Sequence, residues 1–159
     1  MDKPKILDKD TYLFMIENSI GSYIFKNLYM EIDGQKKDVL KNGLLSCAVF
    51  VSGILYMNKM INGMHATVNS TVKDLEKSGW IKINEPERGD ILVWELYKWP
   101  GDIEEHEHIG FYVGEDMAIS NDSKIGSPQK HHFTYGIEES KPVRKIIAVY
   151  RFAFERRLL

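Results

Sequence analysis

Cys47 is the single cysteine of the chain, so an intramolecular disulfide is closed to it and its thiol is either a packing group or a reagent. It stands one residue after Ser46, a type that caps helices, and at the head of the apolar run CAVFVSGIL. Sulfur at a helix start lies beside unpaired backbone N–H groups, whose partial positive charge favours the thiolate. A thiol nucleophile also needs a base that later returns the proton, and His108 opens the segment HIGFYVG. Strand alternation there sends His108, Gly110 and Tyr112 to one face and Ile109, Phe111 and Val113 to the other. With the Ile109 face in the core, His108 looks outward toward a helix end, and Gly110 beside it leaves room for substrate. The turn GED then sends MAISN back antiparallel, bringing Ser120, Asn121 or Asp122 near the imidazole. A neighbour of that kind fixes the tautomer and ring orientation of a catalytic histidine.

The elements that must position these groups fall into two blocks. Asp8 or Asp10 can cap a first helix carrying Tyr12, Leu13, Ile16 and Ile20 at helical spacing, and SYIFKNLYMEI reads as a second helical stretch ending near Gly34. DGQKKD is an exposed turn, SCAVFVSGILYMNKMI is an apolar helix ending near Asn62 and Gly63, and NSTVKDLEKSG is a short amphipathic helix starting at Ser70 or Thr71. From Trp80 onward the texture changes to short aliphatic and aromatic runs: WIKI, DILVWELY, HIGFYVG, MAISN and KIIAVYRFAF. Helices first and strands second predict a single α+β domain over residues 1–159, with N-terminal helices packed on an antiparallel β-sheet. KWPGDIEEHE and SKIGSPQKHHFTYGIEESKPV are the long irregular segments, the kind of loop on which binding residues sit.

With 43% hydrophobic residues over 159 positions, the chain can bury a core without disulfide or metal staples. Its 21 basic and 23 acidic residues are dispersed with no block of one sign, which argues against binding to nucleic acid. AVFV and IIAVY fall far short of a membrane span, and MDKPKILDKD has no apolar signal core. The expectation is a soluble protein with no visible signal peptide, cytoplasmic or released to the cell wall. Composition does not decide its oligomeric state.

The order CAVFVSGIL, PERGDILVWE, HIGFYVG and AISND is similar to that of the NlpC-type cell-wall peptidases and the related CHAP amidases, over about half the chain, from Asn42 to Asp122. The resemblance implies a papain-like core in which the cysteine opens a helix and the histidine sits on the second strand of the sheet, after a strand introduced by a Gly-Asp pair. It implies a cysteine peptidase or amidase without cofactor, acting on a peptide or a peptidoglycan fragment: Cys47 attacks an amide carbonyl and His108 is acid and base. The chain departs from the family at the nucleophile, where Ser46-Cys47-Ala48 replaces Asp-Cys-Ser. Family spacing for the third residue falls on Ser120, whereas an amide oxygen makes Asn121 the chemically better orienter. A one-residue slip reverses the facing of a strand side chain, so one of the two must be wrong. The reading adopted is Cys47, His108 and Asn121, with Ser120 as the alternative. Because cysteine precedes histidine, the circularly permuted lipid acyltransferases fit less well.

Two other classes compete. His106 and His108 have the spacing of a zinc-binding His-x-His pair followed by Asp122, but position 123 is serine and no third ligand falls at a convincing offset. The Asp-to-Ser change before Cys47 leaves room for a catalytically silent papain-like module that binds a ligand. Trp99, in KWPGD, joins Gly110 and Tyr112 as a candidate substrate contact. Trp80 and Trp94 read as core aromatics; His131 and His132 can line the cleft, although packing or solvent exposure is the favoured reading; Glu104, Glu105 and Glu107 read as a solvated acidic loop that could favour a cationic substrate group.

Overall fold

The computed structural model describes residues 3–155, so the ends of the domain expected over 1–159 lie outside the described residues. Helix α1 (Asp8–Asn18) is followed by a two-stranded ribbon, β1 (Tyr29–Ile32) and β2 (Gln35–Asp38), and then by helices α2 (Cys47–Met57) and α3 (Val68–Lys77). The strands β3 (Ile81–Ile83), β4 (Ile91–Tyr97), β5 (His106–Gly114), β6 (Met117–Asp122), β7 (Ser127–His132) and β10 (Ile146–Arg151) form one sheet. Its order is β3-β10-β4-β5-β6-β7, with every pairing antiparallel. Strands β8 (Ile137–Glu138) and β9 (Lys141–Pro142) make a small separate ribbon. The chain is therefore an α+β protein, and no helix among the described residues is long and apolar enough to cross a membrane.

Three local expectations are corrected. SYIFKNLYMEI is not helical; its end is β1, because Asp33 and Gly34 both take positive φ, +53° and +71°, and close a two-residue hairpin onto β2. An Asp-Gly pair favours that turn, and it outweighs the helical spacing upstream. Helix α3 starts at Val68 rather than Ser70 or Thr71, since the Thr67 side chain accepts the Ser70 N–H and caps the helix. The second long irregular segment contains β7, whose six residues pair with β6 from Met117↔His132 to Asp122↔Ser127. Pro128 and the polar residues around it hid this edge strand, on which no further neighbour demands a donor.

Alternation sorts the sheet into two apolar faces. Ile91, Val93, Ile109, Phe111, Ile119 and Tyr150 pack with Phe50, Val51, Leu55 and Tyr12 of the helices. Leu92, Trp94, Tyr112, Ala118 and Val149 form the other cluster, roofed by Phe133, Tyr135 and Ile146. All of Ile91–Trp94 is consequently buried, the signature of a strand covered on both sides.

The Gly-Asp pair before β4 is a structural joint. Gly89, at φ +98°, accepts a hydrogen bond from Tyr12 Oη at 2.7 Å, tying α1 to the sheet. Buried Asp90 accepts from the Glu87 N–H and takes Arg151 Nη2 at 2.7 Å, which clamps the start of β4 to β10. This joint sets the register of the central strands, and with it the height of His108 relative to α2.

Candidate active site

Cys47 is the first residue of α2, where the backbone N–H groups of the first turn have no partner within the helix. Ser46 occupies the N-cap position, but its side chain makes no capping bond and reaches back to the Lys26 carbonyl at 3.4 Å. Position is therefore set by packing of the apolar helix, eight of whose eleven residues are buried, rather than by a cap. The sulfur lies beside the backbone N–H groups of Ile109, Ala48 and Cys47 itself, and in the field of Arg144. Burial nevertheless dominates and pushes the thiol up to about 11. Burial thus opposes the thiolate that the helix start alone favours.

His108 lies on β5 and lines, with Cys47, a cavity of about 510 Å³ at the end of the sheet where β5 begins and β6 ends. No hydrogen bond joins Cys47 Sγ to His108 among the described residues; the two groups share the cavity wall. Gly110 pairs with Ser120 across β5 and β6, so Ser120 stands on the face that carries His108. His108 Nε2 lies 2.8 Å from Ser120 Oγ. Asn121 turns to the opposite face and donates from Nδ2 to the Gly43 carbonyl at 2.8 Å. The chain thus brings His108 to Ser120 and not to Asn121; the physical reason is the two-residue period of β6 in its observed register. Asn121 holds the loop that precedes Cys47 instead, and its Oδ1 is buried with no hydrogen-bond partner among the described residues.

Ser120 Oγ also lies 2.7 Å from His131 Nε2 and 3.3 Å from Tyr135 Oη. Donor and acceptor roles follow from the far end of this chain. His131 Nδ1 lies 2.8 Å from the His132 carbonyl, which can only accept, so Nδ1 carries the proton. Burial lowers the His131 pKa and keeps the ring neutral, so its Nε2 accepts from the Ser120 hydroxyl. The Ser120 oxygen is then an acceptor for His108 Nε2–H. Assigned from this network, His108 is the tautomer whose Nδ1 is bare. Burial, followed by the charges of Arg144, His131 and His106, holds the His108 pKa well below its ordinary value. Burial therefore favours the uncharged form of both groups, and the assigned tautomer leaves one lone pair on His108 Nδ1.

The other nominated residues divide. Trp99 lines the cavity, edge-on to the Tyr135 ring at 5.2 Å between centroids. Gly110 does not line it: a Cβ there would lie 2.7 Å from Ser120 Cβ, 2.9 Å from the Ile119 carbonyl and 3.0 Å from the Trp94 ring. Its missing side chain makes room for Ser120 and Trp94 rather than for substrate. Tyr112 is also away from the cavity, buried against Phe133 with its hydroxyl accepting the Asp116 N–H. His106 and Asp122 line the cavity, yet no three His, Cys, Asp or Glu side chains converge on a metal-sized point among the described residues.

Two site residues, Tyr135 and Arg144, are not singled out by the sequence; His131, for which the sequence favours packing or solvent exposure over a place in the cleft, joins the Ser120 network. Tyr135 stacks on His131 at 4.2 Å with the rings 16° apart, forming the roof over Ser120. Arg144, 2% exposed, donates to the Glu95 and His106 carbonyls and faces the cavity. The available signal was the clustering of His131, His132 and Tyr135 in one irregular segment, and a lone arginine just before an apolar strand. No family model matches the chain. No curated protein matches it either.

Proposed function

We propose that the protein is a cysteine hydrolase of amide bonds built on the papain-like core of the NlpC-type peptidases, with Cys47 as nucleophile, His108 as acid and base, and Ser120 as the residue that orients His108. The observation that carries this reading is one cavity receiving both a thiol at a helix start and a histidine whose outer nitrogen is already committed to Ser120. A base needs one bare nitrogen toward its nucleophile, and the tautomer assigned above has it.

In this reading the site works from neutral partners. As Sγ attacks the substrate carbonyl carbon, the thiol proton passes to His108 Nδ1, and the imidazolium formed is stabilised by the chain through Ser120 to His131. Burial that raises the thiol pKa and lowers the imidazole pKa keeps both uncharged until substrate arrives. The carbonyl oxygen, now an anion, faces the unpaired N–H groups of the first turn of α2, Cys47 N–H among them. Collapse of the adduct breaks the C–N bond, with His108 giving its proton to the leaving amine. Water then attacks the thioester, His108 takes its proton, and an acid and the free thiol are released.

The substrate class we assign is a peptidoglycan peptide or the muramoyl-alanine linkage, as the resemblance in sequence order implies. The test is digestion of purified peptidoglycan followed by mass analysis, with Cys47→Ala as control. New amine and carboxyl ends made only by the native protein identify the bond. Native protein that leaves both peptidoglycan and its soluble fragments intact removes the cell-wall assignment.

A further inference from the structure

Arg144 is a buried cation that forms no ion pair with a carboxylate among the described residues. Four ion pairs are formed among the described residues, and none includes Arg144. Its Nε and Nη2 donate to the Glu95 carbonyl, at 3.1 and 3.0 Å, and Nη2 also to the His106 carbonyl. The ring of Tyr97 lies 5.6 Å from the guanidinium carbon. Carbonyl dipoles and a ring face satisfy donors but supply no full negative charge, so the cost of burying the cation is only partly offset. Nη1 makes no hydrogen bond among the described residues and is not sealed from solvent, and the side chain's remaining surface opens into the cavity beside Cys47. The carboxylates on the same wall are turned to other work: Asp122 Oδ1 accepts the Lys124 and Ile125 N–H groups, and Asp102 Oδ2 the Trp99 N–H. The exposed Glu107 sits at the rim. Glu95 is the carboxylate whose charge acts on Arg144, but its Oε1 accepts the Lys145 N–H and it forms no ion pair with the guanidinium.

We propose that Arg144 is an anion-recognition residue of the Cys47 cavity, which takes an amide substrate bearing a free carboxylate within reach of the scissile carbonyl. The inference rests on the cysteine-hydrolase reading and adds to it the charge of the substrate. Nε and Nη2 are held by the two carbonyls, so the free donors are those of Nη1, which can meet a carboxylate oxygen with a charge-assisted hydrogen bond, and burial disfavours the thiolate that would compete for it. The same cation then stands near the oxyanion and thiolate that form during turnover.

A single cysteine makes the test direct, because thiol alkylation occurs only at Cys47, and Cys47→Ala gives the background from histidine, methionine and lysine. The rates of iodoacetate, an anion, and iodoacetamide, its neutral analogue, are compared on the folded full-length protein by intact mass. N-acetylcysteine amide, which carries no carboxylate, is the reference in the same buffer. The measurement is made at pH 8.5, where His108 is neutral and cannot attract the anion itself. A buried cation of this kind raises the iodoacetate-to-iodoacetamide ratio about tenfold or more over the reference. Arg144→Gln returns it to within about twofold, Arg144→Lys keeps part of it, and 0.5 M NaCl reduces it less than it would a surface charge. A native ratio equal to the reference, or a high ratio that survives in Arg144→Gln, overturns the proposal while leaving the hydrolase reading in place. Should Arg144→Gln fail to fold, the native ratio decides alone. A Cys47 that neither reagent reaches overturns both readings.

Discussion

Removing the Ser120 hydroxyl is the most informative perturbation of this site. Ser120→Ala deletes one oxygen and with it contacts of 2.8 Å to His108, 2.7 Å to His131 and 3.3 Å to Tyr135. Ser120 is 2% exposed, so water does not readily replace the lost atom. A buried donor left unsatisfied costs about 1–3 kcal/mol, and His108 Nε2–H would be one. Two consequences follow from that figure. Stability falls by about 1–3 kcal/mol, equivalent to a melting temperature lower by roughly 2–4 °C for each kcal/mol in a chain of this size. The tautomer preference of His108 weakens, and at about 1.4 kcal/mol per factor of ten the bare-Nδ1 form loses about a tenfold advantage. Freer rotation of the ring adds to this, so turnover on peptidoglycan fragments should fall by ~10². The assay pairs that rate with nitrogen-15 histidine spectra, in which protonated and bare ring nitrogens are distinct. Native protein should give a His108 with Nε2 protonated and Nδ1 bare, and Ser120→Ala a mixture. If Ser120→Ala keeps turnover within threefold of native while Asn121→Ala abolishes it with the fold intact, the orienting role belongs on the other face of β6 and the hydrogen-bond assignment is wrong.

Cys47→Ala should abolish turnover and shift the melting temperature by no more than a few degrees, because the side chain is small and only partly buried at the cavity wall; calorimetry beside the activity assay checks both, and a large drop would make Cys47 a packing residue. Asn121→Ala is expected to cost about 1–2 kcal/mol in urea titration by orphaning the Gly43 carbonyl, with activity reduced only through the loop that precedes Cys47. Gly110→Ala forces a methyl to 2.7 Å from Ser120 Cβ, so it should destabilise by about 1–3 kcal/mol and disturb the His108 tautomer as well. Asp74 accepts from Asn62 N and Nδ2, Gly63 N and Ser78 Oγ and pairs with His65 Nε2, and these bonds hold its carboxyl well below the usual 3.8. Its folded-state pKa is depressed, so its contribution is complete above about 3.8 and lost as pH falls below that value. Denaturant titrations at pH 5 and pH 2.5 should therefore show a smaller acid loss in Asp74→Asn than in the native chain.

Much of this was written along the chain, because patterns with a two-residue or 3.6-residue period depend on neighbours only. The apolar run after Cys47 is helical, HIGFYVG and DILVWELY are strands, and the order of helices before strands describes an α+β protein, each from local alternation and spacing. The Asp-Gly turn between β1 and β2 was equally local, and only its weight against a helical spacing was misjudged. What sequence could not decide was every relation that crosses the sheet. Whether Ser120 or Asn121 meets His108 depends on a register of one residue between β5 and β6, which chemistry at either position leaves open and packing of Ile119 into the helical core settles. That Gly110 makes room for Ser120 and Trp94, rather than for substrate, depends on what lies across from it. The charge state of Cys47 was predicted from the helix start, a local effect worth about 1 kcal/mol. Desolvation at the cavity wall opposes it and raises the thiol pKa. His131, Tyr135 and Arg144 lie far along the chain from Cys47 and enter the site only because β7 and the segment after it fold over the sheet. Burial, register and the field of remote charges are sums over the whole fold, and no single stretch of sequence contains them.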